Sequence, residues 1–247
     1  MSQEWWESFF DGIALDMWRQ VFSEEQTQAE ADFLQKVLAL APSAKVLDVP
    51  CGEGRLSLAM ASRGFQVTGL DFAPAFLEEG RRKASAKGMN IGWKQGDMRR
   101  MDWAEHFDAA FCMGGSFGYF DDAGHAGFLK SVFRALNTGG RFVLDASRVA
   151  EVVLPIVRER EWVRVGDILF LEENRWDHVH GRMETEYTFV RNGKEEKKTS
   201  SDRVYTYREI CHLLEEAGFS RTQAFSSFDL EPFKLGSGRL FLIAHKA

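Results

Sequence analysis

The sequence predicts an α/β protein: a doubly wound, seven-stranded, mostly parallel sheet with a helical N-terminal cap and an inserted antiparallel sheet. Short apolar runs alternate with helix-period segments up to about Leu144, the rhythm of successive βαβ units. The run Ala44-Lys-Val-Leu-Asp-Val-Pro-Cys-Gly-Glu-Gly-Arg55 ends an apolar strand in an acidic residue and a glycine-bearing turn, and Leu56 to Arg63 then read as a helix. After Asp145 the texture changes to alternating strands separated by glycine turns.

The elements follow in order. Residues 1–40 are expected to form the cap. Trp5, Trp6, Phe9, Phe10, Trp18 and Phe22 are more aromatic surface than a free tail tolerates, so they must pack on the core or against a second copy. Residues 41–160 form a core with strands near Lys45 to Val49, Gln66 to Leu70, Ile91 to Lys94, Asp108 to Cys112 and Arg141 to Asp145. Arg81-Arg-Lys83 reads as a solvated helix face. Residues 161–205 are the insertion: Trp162 to Val165, Ile168 to Asp177, Met183 to Arg191 and Lys197 to Tyr205, broken at Gly166, Gly181 and Asn192-Gly193. Asn-Gly is a strong hairpin signal, and alternation through Met183 to Phe189 fits a sheet with one wet face. The insertion leaves the core at the carboxyl edge of the fifth strand and is expected to roof the active site. Residues 206–247 complete the core with a helix from Tyr207 to Ala217, stopped at Gly218-Phe219, and strands near Thr222 to Phe228 and Arg239 to His245.

The glycine turn sits where a ligand can approach the main chain closely. A second strand ends at Asp71, roughly 20 residues after the glycines, where open-sheet nucleotide sites place the carboxylate that binds ribose hydroxyls. Gly52-Glu-Gly54-Arg-Leu-Ser57 lacks the third glycine of dinucleotide enzymes, which counts against a dehydrogenase. Plainer roles exist: Asp48 can tie down the turn, and Asp71 can cap the helix that Pro74 opens.

With Asp48, Gly52, Gly54 and Asp71 in view, the chain resembles the class I S-adenosylmethionine-dependent methyltransferases. Gly96-Asp97-Met98, Phe107-Asp-Ala-Ala-Phe-Cys-Met-Gly-Gly-Ser116 and Leu136-Asn-Thr-Gly-Gly-Arg-Phe-Val-Leu144 resemble further family segments in the same order, so the likeness covers about residues 40 to 147. One departure is plain: Pro50 stands at the motif's first glycine position and offers one donor fewer. The resemblance implies S-adenosylmethionine as cofactor. It places Pro50, Cys51, Gly52, Gly54 and Arg55 at the binding turn, Asp48 at the ammonium, Asp71 at the ribose, Phe72 beside the adenine, and Asp97 with the Met98 amide at the adenine edge. Cys112, Met113 and Gly114 are expected along the methionine portion, with Phe10 and Trp18 closing over it.

Methyl transfer from a sulfonium asks mainly for geometry and exclusion of water. A base is needed only for a protonated nucleophile; the candidates are Tyr119, His125, and Tyr205 or Tyr207. Phe117, Arg148, Arg203 and Tyr207 border the expected entrance and are candidates for acceptor contact, the arginines suiting a carboxylate or phosphate. His178 and His180 lack a third ligand at suitable spacing, so no metal is expected. The formal net charge of -6 disfavours nucleic acid, leaving a small-molecule acceptor methylated on nitrogen or oxygen. No apolar run approaches a membrane span, and Cys51, Cys112 and Cys211 suggest no disulfide framework, so a cytoplasmic enzyme with no membrane partner is expected, a homodimer at most. A nicotinamide-dependent oxidoreductase and a non-catalytic cofactor-binding protein are the alternatives.

Overall fold

The computed structural model describes residues 4–247. Three helices open the chain, α1 (Trp6–Phe9), α2 (Gly12–Val21) and α3 (Glu24–Leu38). They lead into β1 (Lys45–Asp48), α4 (Arg55–Ser62), β2 (Gln66–Asp71), α5 (Pro74–Ala86) and β3 (Gly92–Gln95). A single 3-10 turn at Met98–Arg100 precedes β4 (Phe107–Cys112), α6 (Asp122–Ala135), β5 (Leu136–Asp145) and the short α7 (Ala150–Val153). The insertion follows as β6 (Arg160–Val165), β7 (Ile168–Asp177), β8 (Arg182–Arg191) and β9 (Lys194–Arg203), and α8 (Tyr207–Ala217), β10 (Arg221–Phe225) and β11 (Phe241–His245) end the chain.

Local chemistry sets the helix ends. Ser23 Oγ accepts from the Gln26 amide at 3.0 Å to start α3. Thr206 and Glu209 form a reciprocal capping box at α8, and Gly218, at φ 110°, ends that helix in a left-handed conformation.

The large sheet has seven strands in the order β10-β11-β5-β4-β1-β2-β3. Antiparallel pairing is confined to β11, which runs against both β5 and β10. The central strands are apolar on both faces, as a doubly covered sheet requires. Leu47, Ala110, Phe142 and Leu144 pack with Phe128 and Leu129 of α6 and Leu214 of α8. Val46, Phe111 and Val143 pack with Phe33 and Leu34 of α3 and Met60 of α4. So α3 belongs to the core layer, and only α1 and α2 form a cap.

The expected strand to Phe228 stops at Phe225, and the last strand starts at Phe241 rather than Arg239. The intervening residues fold into their own turn, with the Ser226 amide on the Glu231 carbonyl and Leu230 at φ 66°.

The insertion is a four-stranded antiparallel sheet, β6-β7-β8-β9. Its core-facing side does not lie directly on the large sheet. Ile168, Tyr187 and Phe189 pack against Phe9, Ala14 and Met17 of the cap. Glu196 accepts from the Ile13 amide at 2.8 Å, and Trp5 Nε1 donates to the Ser201 carbonyl at 3.1 Å. Cap and inserted sheet are thus one packed unit.

Phe189 is fully buried in that contact. Phe189→Ala removes a ring the cap cannot replace and is expected to lower unfolding stability by about 3 kcal/mol or more in urea titration, with α1 and α2 the first segments cut in limited proteolysis.

Candidate active site

One cavity, with about 1080 Å³ of empty space including its open mouth, lies at the carboxyl ends of β1, β2 and β4. The glycine turn, residues 50–53, supplies one wall, and Asp71, Phe72, Ala73 and Phe76 supply the next. Gly96, Asp97, Met98 and Phe120 close one end, and Met113, Gly114, Ser116 and Tyr119 line the far side. Trp6, Phe10, Trp18 and Phe22 come down from the cap.

The turn is held from within. The Gly52 amide donates to Asp71 Oδ2 at 2.8 Å, the Ala73 amide to Asp71 Oδ1 at 2.9 Å, and Ser57 Oγ to Asp48 Oδ2 at 2.6 Å. The Val49–Pro50 peptide is cis. Gly52 has φ 54°, and a Cβ there would meet nothing within 4 Å, so the main chain is bare toward the cavity. Burial pushes the Asp48 carboxyl up to about 7, against the lowering effect of the Ser57 hydroxyl. Burial likewise raises Asp71 to about 6, against the Ala73 and Gly52 amides.

Thirteen of the fifteen residues expected at the cofactor line this cavity: Phe10, Trp18, Asp48, Pro50, Cys51, Gly52, Arg55, Asp71, Phe72, Asp97, Met98, Met113 and Gly114. Gly54 and Cys112 do not. Gly54 has φ 79°, and a Cβ on it would stand 2.3 Å from the Trp93 ring, so close packing explains that glycine. Cys112 is fully buried on the opposite side of its strand, in the core cluster with Val49 and Phe117. Asp97 also carries a load of its own: Arg99 donates to it from its backbone amide at 2.9 Å and its guanidinium at 2.7 Å, which holds the carboxyl below its usual range against the opposing effect of burial.

Of the expected bases, only Tyr119 reaches the cavity. Its hydroxyl is raised above its usual pKa, by burial first and then by Asp202. His125 is fully buried, its Nε2 accepting from the Gly118 amide at 2.9 Å, and burial pushes it down to about 4. Tyr205 donates to Asp122 at 2.8 Å and sits 3.1 Å from His125 Nδ1. The expected acceptor residues also lie outside the lining. Phe117 packs on His125, Arg148 pairs with Asp202 at 2.9 Å, Arg203 bridges Asp122 and Glu209, and the Tyr207 ring lies tilted against Phe233.

No residue of the inserted sheet lines the cavity among the described residues, so the roof is α1, α2 and the Phe22 turn, and the sheet supports that roof from outside. Sequence reasoning passed over Trp6, Phe22, Phe76 and Phe120 as site residues. Phe76 lies in the first turn of α5, whereas Phe72 precedes the N-cap Ala73, so helical spacing does not relate the two and gave no signal.

The family model described as a methyltransferase domain matches residues 46–140. The chain is 27% identical over 248 residues to YqeM of Bacillus subtilis, a protein likewise named as a methyltransferase, with 92% of this chain and 95% of that one covered. It is 38% identical over 103 residues to the demethylmenaquinone methyltransferase of Deinococcus radiodurans, a match spanning 40% of this chain and 42% of that relative's length. The CcbJ methyltransferase of Streptomyces caelestis has the same fold, with a TM-score of 0.79, 16% identity and coverage of 98% and 99% of the two chains. The matched domain and these relatives support a class I S-adenosylmethionine-dependent methyltransferase.

S-adenosylmethionine, the cofactor of this methyltransferase, fits the lining. It carries two positive groups, an ammonium and a sulfonium, and one negative group, a carboxylate. The charged residues of the wall are Asp48, Glu53, Asp71 and Asp97 on one side of the balance and Arg55 on the other. Among the described residues no helix is long and apolar enough to cross a membrane.

Two outcomes follow for cofactor binding. Gly52→Val fills the bare approach, and calorimetry is expected to show no S-adenosylhomocysteine binding at millimolar ligand. Burial leaves Asp48 and Asp71 with raised pKa values of about 7 and about 6 in the free protein, so the expected placement of Asp48 at the cofactor's ammonium and Asp71 at its ribose would require them to release protons on binding. Affinity for S-adenosylhomocysteine is therefore expected to rise about tenfold between pH 6 and pH 8, with proton release measurable by calorimetry in two buffers. The same raised values make these groups destabilise the free protein as pH climbs from 3.8 through about 7, because the folded chain then holds more protons than the unfolded one.

Proposed function

We propose that this methyltransferase moves the methyl group of S-adenosylmethionine to a nitrogen or oxygen of a small-molecule acceptor by in-line displacement. The observation that carries the reading is the enclosure of the cavity by Trp6, Phe10, Trp18 and Phe22, which leaves the wall of Met113, Gly114, Ser116 and Tyr119 as the place for an acceptor. A roof of packed aromatic rings suits a small enclosed substrate better than a polymer. The formal net charge of -6 supports the same choice against nucleic acid. The relative from Deinococcus radiodurans is named for a quinone acceptor, itself a small molecule.

When bound, S-adenosylmethionine supplies a methyl group already activated by its sulfonium. The chain's task is then placement and dryness. Asp48 meets the ammonium, Asp71 the ribose hydroxyls, and Phe72 flanks the adenine. Met113 and Gly114 border the methionine portion. Tyr119 touches the acceptor as a hydrogen-bond donor; its raised pKa keeps the phenol protonated, so it orients a lone pair and does not remove a proton. Arg148 and Asp202 influence the acceptor through Tyr119, whose hydroxyl lies within their field.

The test is incubation with metabolite pools and methyl-labelled cofactor, with mass spectrometry and NMR of the product. Label on nitrogen or oxygen of a small molecule is expected. Label chiefly in RNA or protein, or on carbon, would overturn the assignment. Tyr119→Phe is expected to lower kcat about tenfold while the affinity for S-adenosylhomocysteine stays within about twofold. An unchanged kcat would remove Tyr119 from the acceptor site.

A further inference from the structure

Arg55 is the one cation among the charged side chains that line the cavity in the described residues, and it opens α4 beside the glycine turn. Its guanidinium is gripped from the N-terminal segment on several sides. Nη2 stands 2.6 Å from Glu30 Oε2, Nη1 donates to Thr27 Oγ1 at 3.4 Å, and the guanidinium carbon lies 3.9 Å above the Phe22 ring. Glu30 is only 1% exposed, on a helix face otherwise made of Ala31, Phe33, Leu34, Val37 and Leu38. Gln26 Nε2 fixes its other oxygen at 3.1 Å, and Arg239 reaches that oxygen at 3.8 Å. A carboxylate this deeply buried is costly unless it is paired, and an apolar residue of similar size would serve packing as well. Its effect is to hold one guanidinium in a single plane at the cavity wall.

Resting on the cofactor reading above, we propose that Arg55 anchors the carboxylate of the cofactor's amino-acid tail and that Glu30 is the positioning residue that aims it. The ligand has one anionic group, and the wall has one cation to receive it. Planar guanidinium suits a carboxylate through paired hydrogen bonds, provided the fork is held still. Phe22 covers one face of the fork, Thr27 takes one hydrogen of Nη1 and Glu30 faces Nη2, which leaves Nε and the second hydrogens of the two Nη atoms for the ligand. Glu30 also repels a carboxylate, so orientation and charge oppose each other at this residue. Positioning wins because an unanchored arginine must lose its rotamer freedom again each time the ligand binds.

Paired ligands test this. S-adenosylhomocysteine has the amino-acid tail, whereas 5'-methylthioadenosine shares the adenosine and sulfur but lacks the carboxylate and the ammonium. Calorimetry with the full chain is expected to show Glu30→Gln weakening S-adenosylhomocysteine about tenfold and leaving 5'-methylthioadenosine within about twofold. Arg55→Lys keeps the charge Glu30 needs, loses the fork, and is expected to give the same selective loss. It also serves as the measurement if Glu30→Gln fails to fold. Equal weakening of both ligands would make Glu30 merely structural, and no change or tighter S-adenosylhomocysteine binding in Glu30→Gln would overturn the positioning role. Wild-type protein that binds neither ligand would instead defeat the cofactor reading itself.

Discussion

The constraint on which this structure depends is the burial of carboxylates at the carboxyl edge of the parallel sheet. Asp48, Asp71 and Asp145 end β1, β2 and β5, and each is 7% exposed or less. Burial raises the pKa of all three. Such groups persist only with donors supplied to them, and the local fold is largely the arrangement of those donors: Ser57 for Asp48, the Gly52 and Ala73 amides for Asp71, and Ser147 with the Gly114 amide for Asp145. The glycine turn and the loop after β4 therefore take their shapes from the same electrostatic need that makes the edge ready for a cationic ligand. Burial raises these carboxyls, and a cation brought beside one of them would lower it again, which is the electrostatic basis for the cofactor placement proposed above.

The second organising feature is the division of labour between cap and insertion. Helices of ten residues or fewer, such as α1 and α2, are marginal alone. They gain their stability by lying between the inserted sheet and the cofactor-side loops of the core, with Phe9 and Met17 against Tyr187 and Phe189 on one side and Trp6 and Phe10 against Phe72, after β2, and Phe76, in α5, on the other. The insertion thus acts on the cavity through the cap. A change in the β8 face alters the roof's rigidity before it alters any contact with a ligand.

The layout of the core was legible because its signals are local. Strand-length apolar runs, Asp48, Gly52 and Asp71, and the Asn192-Gly193 turn each specify backbone geometry within a few residues; four of the five expected parallel strands fell within a residue of their places, while the fifth begins at Leu136 rather than Arg141. The inserted hairpins were readable for the same reason. What could not be read was which neighbour an exposed-looking aromatic would find. Trp6 and Phe10 are four residues apart, and nothing between them says that both meet the cavity while Phe9 faces the inserted sheet. Gly54 looked like a ligand glycine, and only the position of Trp93, far along the chain, shows that packing requires it. Glu30 carried no signal at all, since a glutamate in a charged helix gives no hint that its face will be buried.

His125 and Tyr205 show how chemistry-bearing residues can serve a site without entering it. His125 Nε2 accepts from the Gly118 amide, which assigns the ring proton to Nδ1, facing the Asp121 carbonyl at 3.0 Å. With its pKa pushed down to about 4, the ring stays neutral through physiological pH and the acceptor is always available. The Gly118 carbonyl in turn takes the Arg203 amide at 2.7 Å, at the point where β9 leaves the insertion. The loop from Ser116 to Phe120 is therefore tied at one glycine to α6 and to the inserted sheet, and Tyr119 is the residue that follows. Those two bonds fix the backbone from which the Tyr119 side chain extends into the cavity. His125, with Tyr205 against its Nδ1 side, thus holds the loop that carries Tyr119, the residue proposed to meet the acceptor.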